Sequence, residues 1–372
     1  MICEENSSEI THPLFPVSGY GAAEFENSVS SILLNRPPRT LFLAAVSGGA
    51  DSIAMLCAIS AVIPKERLCC LHVDHGIRSP EESSSDAVFV RDYCRSLGIE
   101  CRVKSIPHGK ITSFARRKKA GIEAAARFFR RKALFSEAAG LGENACILIA
   151  HTKDDMLETV LMRFLRGCGP AGLAAMSAEK KNSKEQAIIL RPLLSVSRED
   201  VLCYLKAKGV SWREDSTNSD EKYLRNRIRR HLVPLLNEAF PSWKAGVSAM
   251  AQTQSLASDF IADEAGKRIQ WDFEYRQPSG SPVHVHCIST NEENFFAQTQ
   301  IIREESVFIA LDKLLKGKNY IKSIKRSVIR NFCRGNIIAS VLGPAQIRRK
   351  EGKVLLLRKQ KEFFERGVSI LI

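Results

Sequence analysis

Residues Ser47, Gly48, Gly49, Ala50, Asp51 and Ser52 stand where one apolar run, Leu41–Val46, gives way to another. Two adjacent glycines let the backbone pass through conformations closed to other residues, so successive N–H groups can converge on an anion. A helix following them, read as Ser52–Ile63, aims its own N-terminal N–H groups at the same place. Ser47 and Ser52 add hydroxyl donors, and Asp51 adds a carboxylate able to hold a metal ion against phosphate oxygens. Such residues suit a cradle for pyrophosphate; the plainer alternative is a turn that only caps a helix. No Gly-Lys-Ser/Thr follows, which excludes a Walker loop, and the glycine spacing excludes a dinucleotide fingerprint.

Four further groups could do chemistry. His72, Asp74, His75 and Arg78 close the second apolar run and could bind nucleotide, metal or phosphate, or form a solvated turn. Residues 116–132 hold eight Lys or Arg and one acid, interrupted by three alanines and Phe128-Phe129, so one side packs and the other presents cations, Arg127 among them. In the string His151 to Thr159, Asp155 and Glu158 are three apart and His151 four before Asp155, a spacing that puts all three on one helical face. The first-turn acid Asp154 reads as a dipole complement, whereas Asp155 and Glu158 are suited to an amine or a metal, and one could accept a proton. Finally, Asp215 and Asn218 predict a turn ahead of Arg225, Arg227, Arg229 and Arg230, a cluster suited to phosphate.

The elements that must position these groups alternate. Strands are expected at Leu41–Val46, Arg67–Val73, Cys101–Ile106 and Cys146–Ala150, with helices at Ser52–Ile63, Ser79–Leu97, Thr112–Ala139 and Lys153–Leu165. Apolar strands alternating with helices imply an α/β fold, a doubly wound parallel sheet, with ligands beyond the carboxyl ends of its strands. Ser47, His72, Asp74 and His151 all fall there. Residues 1–36 read as an irregular, partly acidic lead-in, 37–236 as the nucleotide-binding catalytic domain, 237–300 as a helical linker domain with 270–300 irregular, and 301–372 as a small basic α+β domain. In the last, a helix over Lys318–Arg334 stripes Ile321, Ile324, Val328 and Phe332 on one side and Lys322, Arg326 and Arg330 away from it. Short strands are expected at Ile337–Leu342 and Val354–Leu357.

Composition narrows the partners. The chain of 372 residues carries a formal charge of +14, which points to a polyanion such as nucleic acid. Residues 313–361 alone hold fifteen Lys or Arg against one acid, so the Lys322, Arg326 and Arg330 ridge is expected to contact a phosphate backbone. Eleven scattered cysteines, none spaced CxxC, argue against a disulfide framework, a zinc ribbon or a sulfur-carrying pair, and fit a reducing cytoplasm. Glu4, Glu5 and Glu9 stand where a secretion signal would be basic and apolar, and no apolar run is long enough to cross a bilayer.

In order, SGGADS, HVDHGIR, GIEAAAR, AHTKDDMLET, LRGCGPAGLAAM, RPLL and DSTN followed by RNRIR resemble the bacterial tRNA(Ile)-lysidine synthetases of the PP-loop ATP pyrophosphatase superfamily. The resemblance covers roughly residues 40–236 and is loose beyond 240; Thr152-Lys153 and Met156 depart from the family pattern. It implies an adenine nucleotide alpha hydrolase-like sheet and ATP-dependent attachment of free L-lysine to C2 of the wobble cytidine of an isoleucine tRNA with a CAU anticodon. It also implies Mg²⁺ near Asp51, ATP along Ser47–Ser52 with His72 and Asp74, and lysine at Asp155 and Glu158. His151 and Arg127 would steady the adenylate, and Arg78, Arg225, Arg227 and Arg230 would contact tRNA. A cytoplasmic homodimer would suit this family. Base thiolation by a related PP-loop enzyme is the alternative, disfavoured by the lack of a CxxC pair.

Overall fold

The computed structural model describes residues 21–77, 80–142, 144–182, 187–214, 224–276, 285–315, 324 and 326–358. The chain divides into two compact units, one of residues 1–168 and 175–249, the other of 169–174 and 250–372.

The first unit opens with helix α1 (Ala22–Leu34), where an irregular lead-in was expected. Phe25, Val29 and Leu33 recur every fourth residue and are buried, and that apolar stripe is what holds the segment helical. Then come β1 (Phe42–Ala45), α2 (Ala50–Val62), β2 (Leu68–Asp74), α3 (Pro80–Ser96) and β3 (Glu100–Ser105). The expected helix over 112–139 is two helices, α4 (Lys110–Lys118) and α5 (Ile122–Leu141). Lys119 adopts a left-handed φ of 50° between them, and Gly121 becomes the N-cap of α5. The unit continues through β4 (Cys146–Ile149), α6 (Lys153–Leu165), α7 (Pro170–Leu173, which clusters with the second unit), β5 (Glu179–Asn182), β6 (Ala187–Leu190) and α8 (Arg198–Ala207). Near its end are α9 (Leu224–Arg227), a wide π turn over 228–232, and α10 (Val233–Ala239).

The six strands run in the order β3-β2-β1-β4-β6-β5. All neighbours are parallel except the edge pair β5–β6, which is antiparallel. Because side chains alternate across a strand, Phe42, Ala44, Cys70 and Leu148 join a core that includes Phe25, Leu56, Val90 and Leu205, under α1, α2, α3 and α8. Leu43, Cys69, Leu71 and Ile147 enter a second core with Leu134, Phe135 and Ala138 of α5. Helices thus cover both faces, as the alternation of elements requires.

The second unit takes in most of α11 (Trp243–Arg268), whose first turns belong to the first unit. Then follow β7 (Asp272–Arg276), β8 (Val285–Asn291), α12 (Glu292–Ala297), α13 (Gln300–Leu315), α14 (Arg326–Cys333), β9 (Ala339–Leu342), β10 (Ala345–Lys350) and β11 (Lys353–Arg358). Its antiparallel sheet has the order β7-β8-β11-β10-β9. The 270–300 stretch is therefore not irregular: it supplies two paired strands and a helix.

Candidate active site

The strand order reverses between β1 and β4, and the loops that leave their carboxyl ends begin at Val46 and Ala150. A reversal of this kind opens a crevice where open parallel sheets bind ligands. The β1 loop is drawn tight by its serines. Ser52 Oγ donates to the Gly49 carbonyl at 2.9 Å and accepts from Ser47 N–H at 3.1 Å, while Gly49 N–H donates to Ser47 Oγ at 3.4 Å. Gly48 holds φ = +93°, and a Cβ there would lie 3.4 Å from Val90 Cγ2, so this position needs glycine. Helix α2 begins at Ala50, with Gly49 as an N-cap that offers no side-chain cap. Helices α6 and α8, by contrast, close their N-termini with capping boxes, Thr152 with Asp155 and Ser197 with Asp200.

Asp51, in the first turn of α2, has Oδ2 2.8 Å from Nη1 of Arg198, which donates to it. Its Oδ1 is buried and without a hydrogen-bond partner. Burial raises the Asp51 pKa; Arg198 opposes the shift, and the negative charge of Asp155 adds to it. An orphaned hard oxygen is what a Mg²⁺ ion would take. Among the described residues no cluster of three carboxylate or imidazole ligand atoms forms there, so an ion would rest on Asp51 and on phosphate oxygens.

His151 lies before the α6 N-cap, Thr152, so it does not share a helical face with Asp155 and Glu158 as the spacing suggested. It is brought near them by the loop leaving β4. Arg191 Nε donates to His151 Nδ1 at 3.2 Å. Since a guanidinium cannot accept, the imidazole carries its proton on Nε2. Burial pulls the His151 pKa down to about 4, against the pull of Asp155 and with the charges of Arg127 and Arg191. Arg127, Arg130 and Arg191 all have lowered pKa values, through burial first. Each also feels a neighbouring guanidinium: Arg225 acts on Arg127, and Arg127 acts on Arg130 and Arg191. Cations gathered around a neutral imidazole form a setting that favours an anion.

The acids are not open. Asp155 Oδ2 accepts from Thr152 N–H at 3.0 Å, closing the capping box of α6. Asp154 instead accepts from the Arg198 backbone N–H at 2.7 Å and from Lys244 at 3.4 Å. Glu158, 3% exposed, receives both arms of Arg229 at 2.7 and 3.1 Å, and Arg229 also lies 3.8 Å from Asp155. Burial raises the Glu158 pKa while Arg229 holds it down. Arg225 Nε lies 3.4 Å from Glu158 and its Nη2 donates to Thr159 at 3.1 Å, so Arg225 faces inward, whereas Arg227 and Arg230 are exposed.

His72 and Asp74 are engaged with the fold. His72 Nδ1 donates to the Val46 carbonyl at 2.9 Å, and Asp74 Oδ1 accepts from Gly76 N–H at 2.9 Å. Arg78, the DSTN string from Asp215 and Lys322 lie outside the described residues. The ridge expected on 318–334 is corrected in the described part, α14. Arg326 lies 3.6 Å from both Glu304 and Glu305, and Arg330 lies 3.4 Å from Glu304, so both are paired with α13. Sequence reasoning missed Arg198, Arg191, Arg130 and the inward turn of Arg229; the dense arginines of 225–230 were the available signal for the last.

A family model described as a PP-loop domain matches residues 22–236, more than half of the chain. The chain belongs to this family. The matched residues include the Ser47–Ser52 loop and the uncapped α2 N-terminus. Among similar proteins, the tRNA(Ile)-lysidine synthase of Treponema denticola is 38% identical over 283 residues, which is 75% of this chain and 58% of that protein. The tRNA(Ile)-lysidine synthase of Thermus thermophilus is 34% identical over 251 residues, covering 66% and 46%. The chain thus spans about half the length of these curated relatives. A U34-tRNA thiolase, NcsA from Methanococcus maripaludis, solved with its [4Fe-4S] cluster, has a TM-score of 0.50 at 17% identity, covering 63% of this chain and 79% of that one; it shares the fold.

Proposed function

We propose that this PP-loop protein joins free L-lysine to C2 of the wobble cytidine in the CAU anticodon of tRNA(Ile), using ATP and releasing pyrophosphate and AMP. The observation that carries the reading is the convergence of the glycine loop, His151 and the Asp155–Glu158 pair at one strand-order reversal, in a chain whose relatives are named for that reaction.

The geometry suits two steps. In the first, the cytosine C2 oxygen attacks the α-phosphorus of ATP and pyrophosphate leaves toward Gly48, Gly49 and the α2 N-terminus. Mg²⁺, held by Asp51, would neutralise charge developing on the phosphates. His151 donates from Nε2 to a phosphate oxygen and does not take a proton, because it is neutral and its Nδ1 is held by Arg191. Arg127 adds charge to the same oxygen. In the second, the lysine ε-amine attacks C2, AMP departs with the oxygen, and the amine proton passes to a carboxylate. An incoming ammonium competes with Arg229 for Glu158, whose buried carboxylate keeps only Arg225, 3.4 Å away, once Arg229 moves.

The basic surface of α4 and α5 supports a polyanionic partner: Arg116, Arg117, Lys118, Lys119, Arg131 and Lys132 are all exposed there. The only thiol cluster among the described residues lies toward the opposite end of the strands, which disfavours thiolation. No described helix is long and apolar enough to cross a membrane, and a cytoplasmic tRNA is the substrate this reading requires. Pyrophosphate release from ATP should require tRNA(Ile), should continue past one equivalent per enzyme-bound tRNA only when lysine is present, and should be abolished by Asp51→Ala. Release without tRNA, multiple turnovers without lysine, or full activity in that variant would refute the assignment.

A further inference from the structure

Three thiols outside the candidate active site meet in the core of the first unit. Cys70 on β2 and Cys101 on β3 are register partners on adjacent parallel strands, so both leave the same face of the sheet. Cys94, near the end of α3, packs over that face. The three Sγ atoms all lie within 4.8 Å of one another, Cys70 and Cys94 are fully buried, and Cys101 is partly buried. None forms a disulfide.

Three sulfurs around one ion at a metal–sulfur distance of about 2.3 Å stand about 4.0 Å apart, so each ligand needs to move by at most about 0.5 Å. Among the described residues no other Cys, His, Asp or Glu atom completes the group. His72 is close, yet its Nδ1 is bonded to the Val46 carbonyl. Thiolates select soft metals, and three sulfurs in a dry core without a fourth donor suit a monovalent d¹⁰ ion better than tetrahedral zinc. We propose that Cys70, Cys94 and Cys101 form a trigonal site for a soft monovalent metal ion of the Cu(I) class.

The site lies about 13 Å, four residues of strand, from the carboxyl end of β2, so it is a staple for α3 and takes no part in the reaction proposed above. Helix α3 places Phe89 and Val90 against Gly48, and a bound ion would stiffen that wall.

The test uses the full chain with Cys3, Cys168 and Cys203 replaced by serine, titrated without oxygen against chelator-buffered Cu(I) while thiolate-to-copper absorbance is followed. One equivalent is expected to bind. Cys101→Ser and Cys94→Ala should each weaken binding by more than about 100-fold, with folding verified by circular dichroism, and Cys57→Ser should leave it unchanged. Binding that survives both ligand variants, or that is lost with Cys57→Ser, overturns the site. A Cys70–Cys101 disulfide that excludes Cu(I) also overturns it, making the cluster a redox pair. Should both ligand variants unfold, X-ray absorption of the loaded parent decides: three sulfurs at one distance support the site, any other shell refutes it.

Discussion

Arg198→Ala tests whether Asp51 is held ionised by a partner that sits 147 residues away in sequence. The 2.8 Å contact puts the two charge centres about 4 Å apart, worth about 4 kcal/mol at an effective dielectric constant of about 20. Side-chain exposures of 39% for Arg198 and 26% for Asp51 call for a discount, to about 1–2 kcal/mol, or roughly one pKa unit. Burial already raises the Asp51 pKa, so losing Arg198 moves it further the same way. The sign follows: a carboxyl whose folded pKa lies above its unfolded value stabilises the fold at low pH and loses that contribution as pH rises through the folded pKa. Urea unfolding should therefore show Arg198→Ala destabilised by about 1–2 kcal/mol more at about pH 7 than at about pH 4. The acid limb of pyrophosphate release should move up by roughly one unit, and Arg198→Lys should recover part of both. An equal loss of stability at both pH values, with an unmoved acid limb, would mean that Arg198 acts by packing and that the charge argument is wrong.

Two further outcomes follow from the same geometry. Gly48→Ala forces a side chain into φ = +93° and should cost about 1–3 kcal/mol, read as a lower Tm, with weaker ATP binding by calorimetry; wild-type values for both would remove the backbone argument. Arg191→Leu removes a charge that depresses His151, so the imidazole should titrate above about 4 in NMR spectra. Because a depressed histidine pKa contributes stability that is lost as pH falls below the unfolded value, this variant should be less acid-sensitive between about pH 6.5 and 4; unaltered titration would sink the assignment of Nδ1 as acceptor.

The parallel sheet was legible because its strands are short apolar runs at regular intervals, and the glycine loop was legible because only a strand-to-helix junction explains its residues. What escaped was long-range or two-sided. Helix α1 was hidden by its polar face, although Phe25, Val29 and Leu33 carried the period. Strand β10 reads Ala-Gln-Ile-Arg-Arg-Lys, and only its pairing with β9 and β11 makes it a strand. Asp154 and Asp155 are chemically equal in sequence, and the cap geometry alone tells them apart. Arg198 and Arg229 carried no local signal for their partners, since ion pairs across 147 and 71 residues are set by the fold. Arg326 and Arg330 were misread for the same reason: helical spacing cannot reveal an acid on the neighbouring helix.

The two rims of the six-stranded sheet differ in direction but share a property. Strand β3 carries Glu100, Arg102 and Lys104, and the reversed strand β5 begins Glu179-Lys180-Lys181. A second molecule offering its own β3 or β5 would bring lysines against lysines across a hydrogen-bonded seam and would strand Glu100–Arg102 and Arg36–Glu179 pairs between the sheets. Sheet-to-sheet polymerisation through these two edges is thereby discouraged from both sides, by charge as much as by shape.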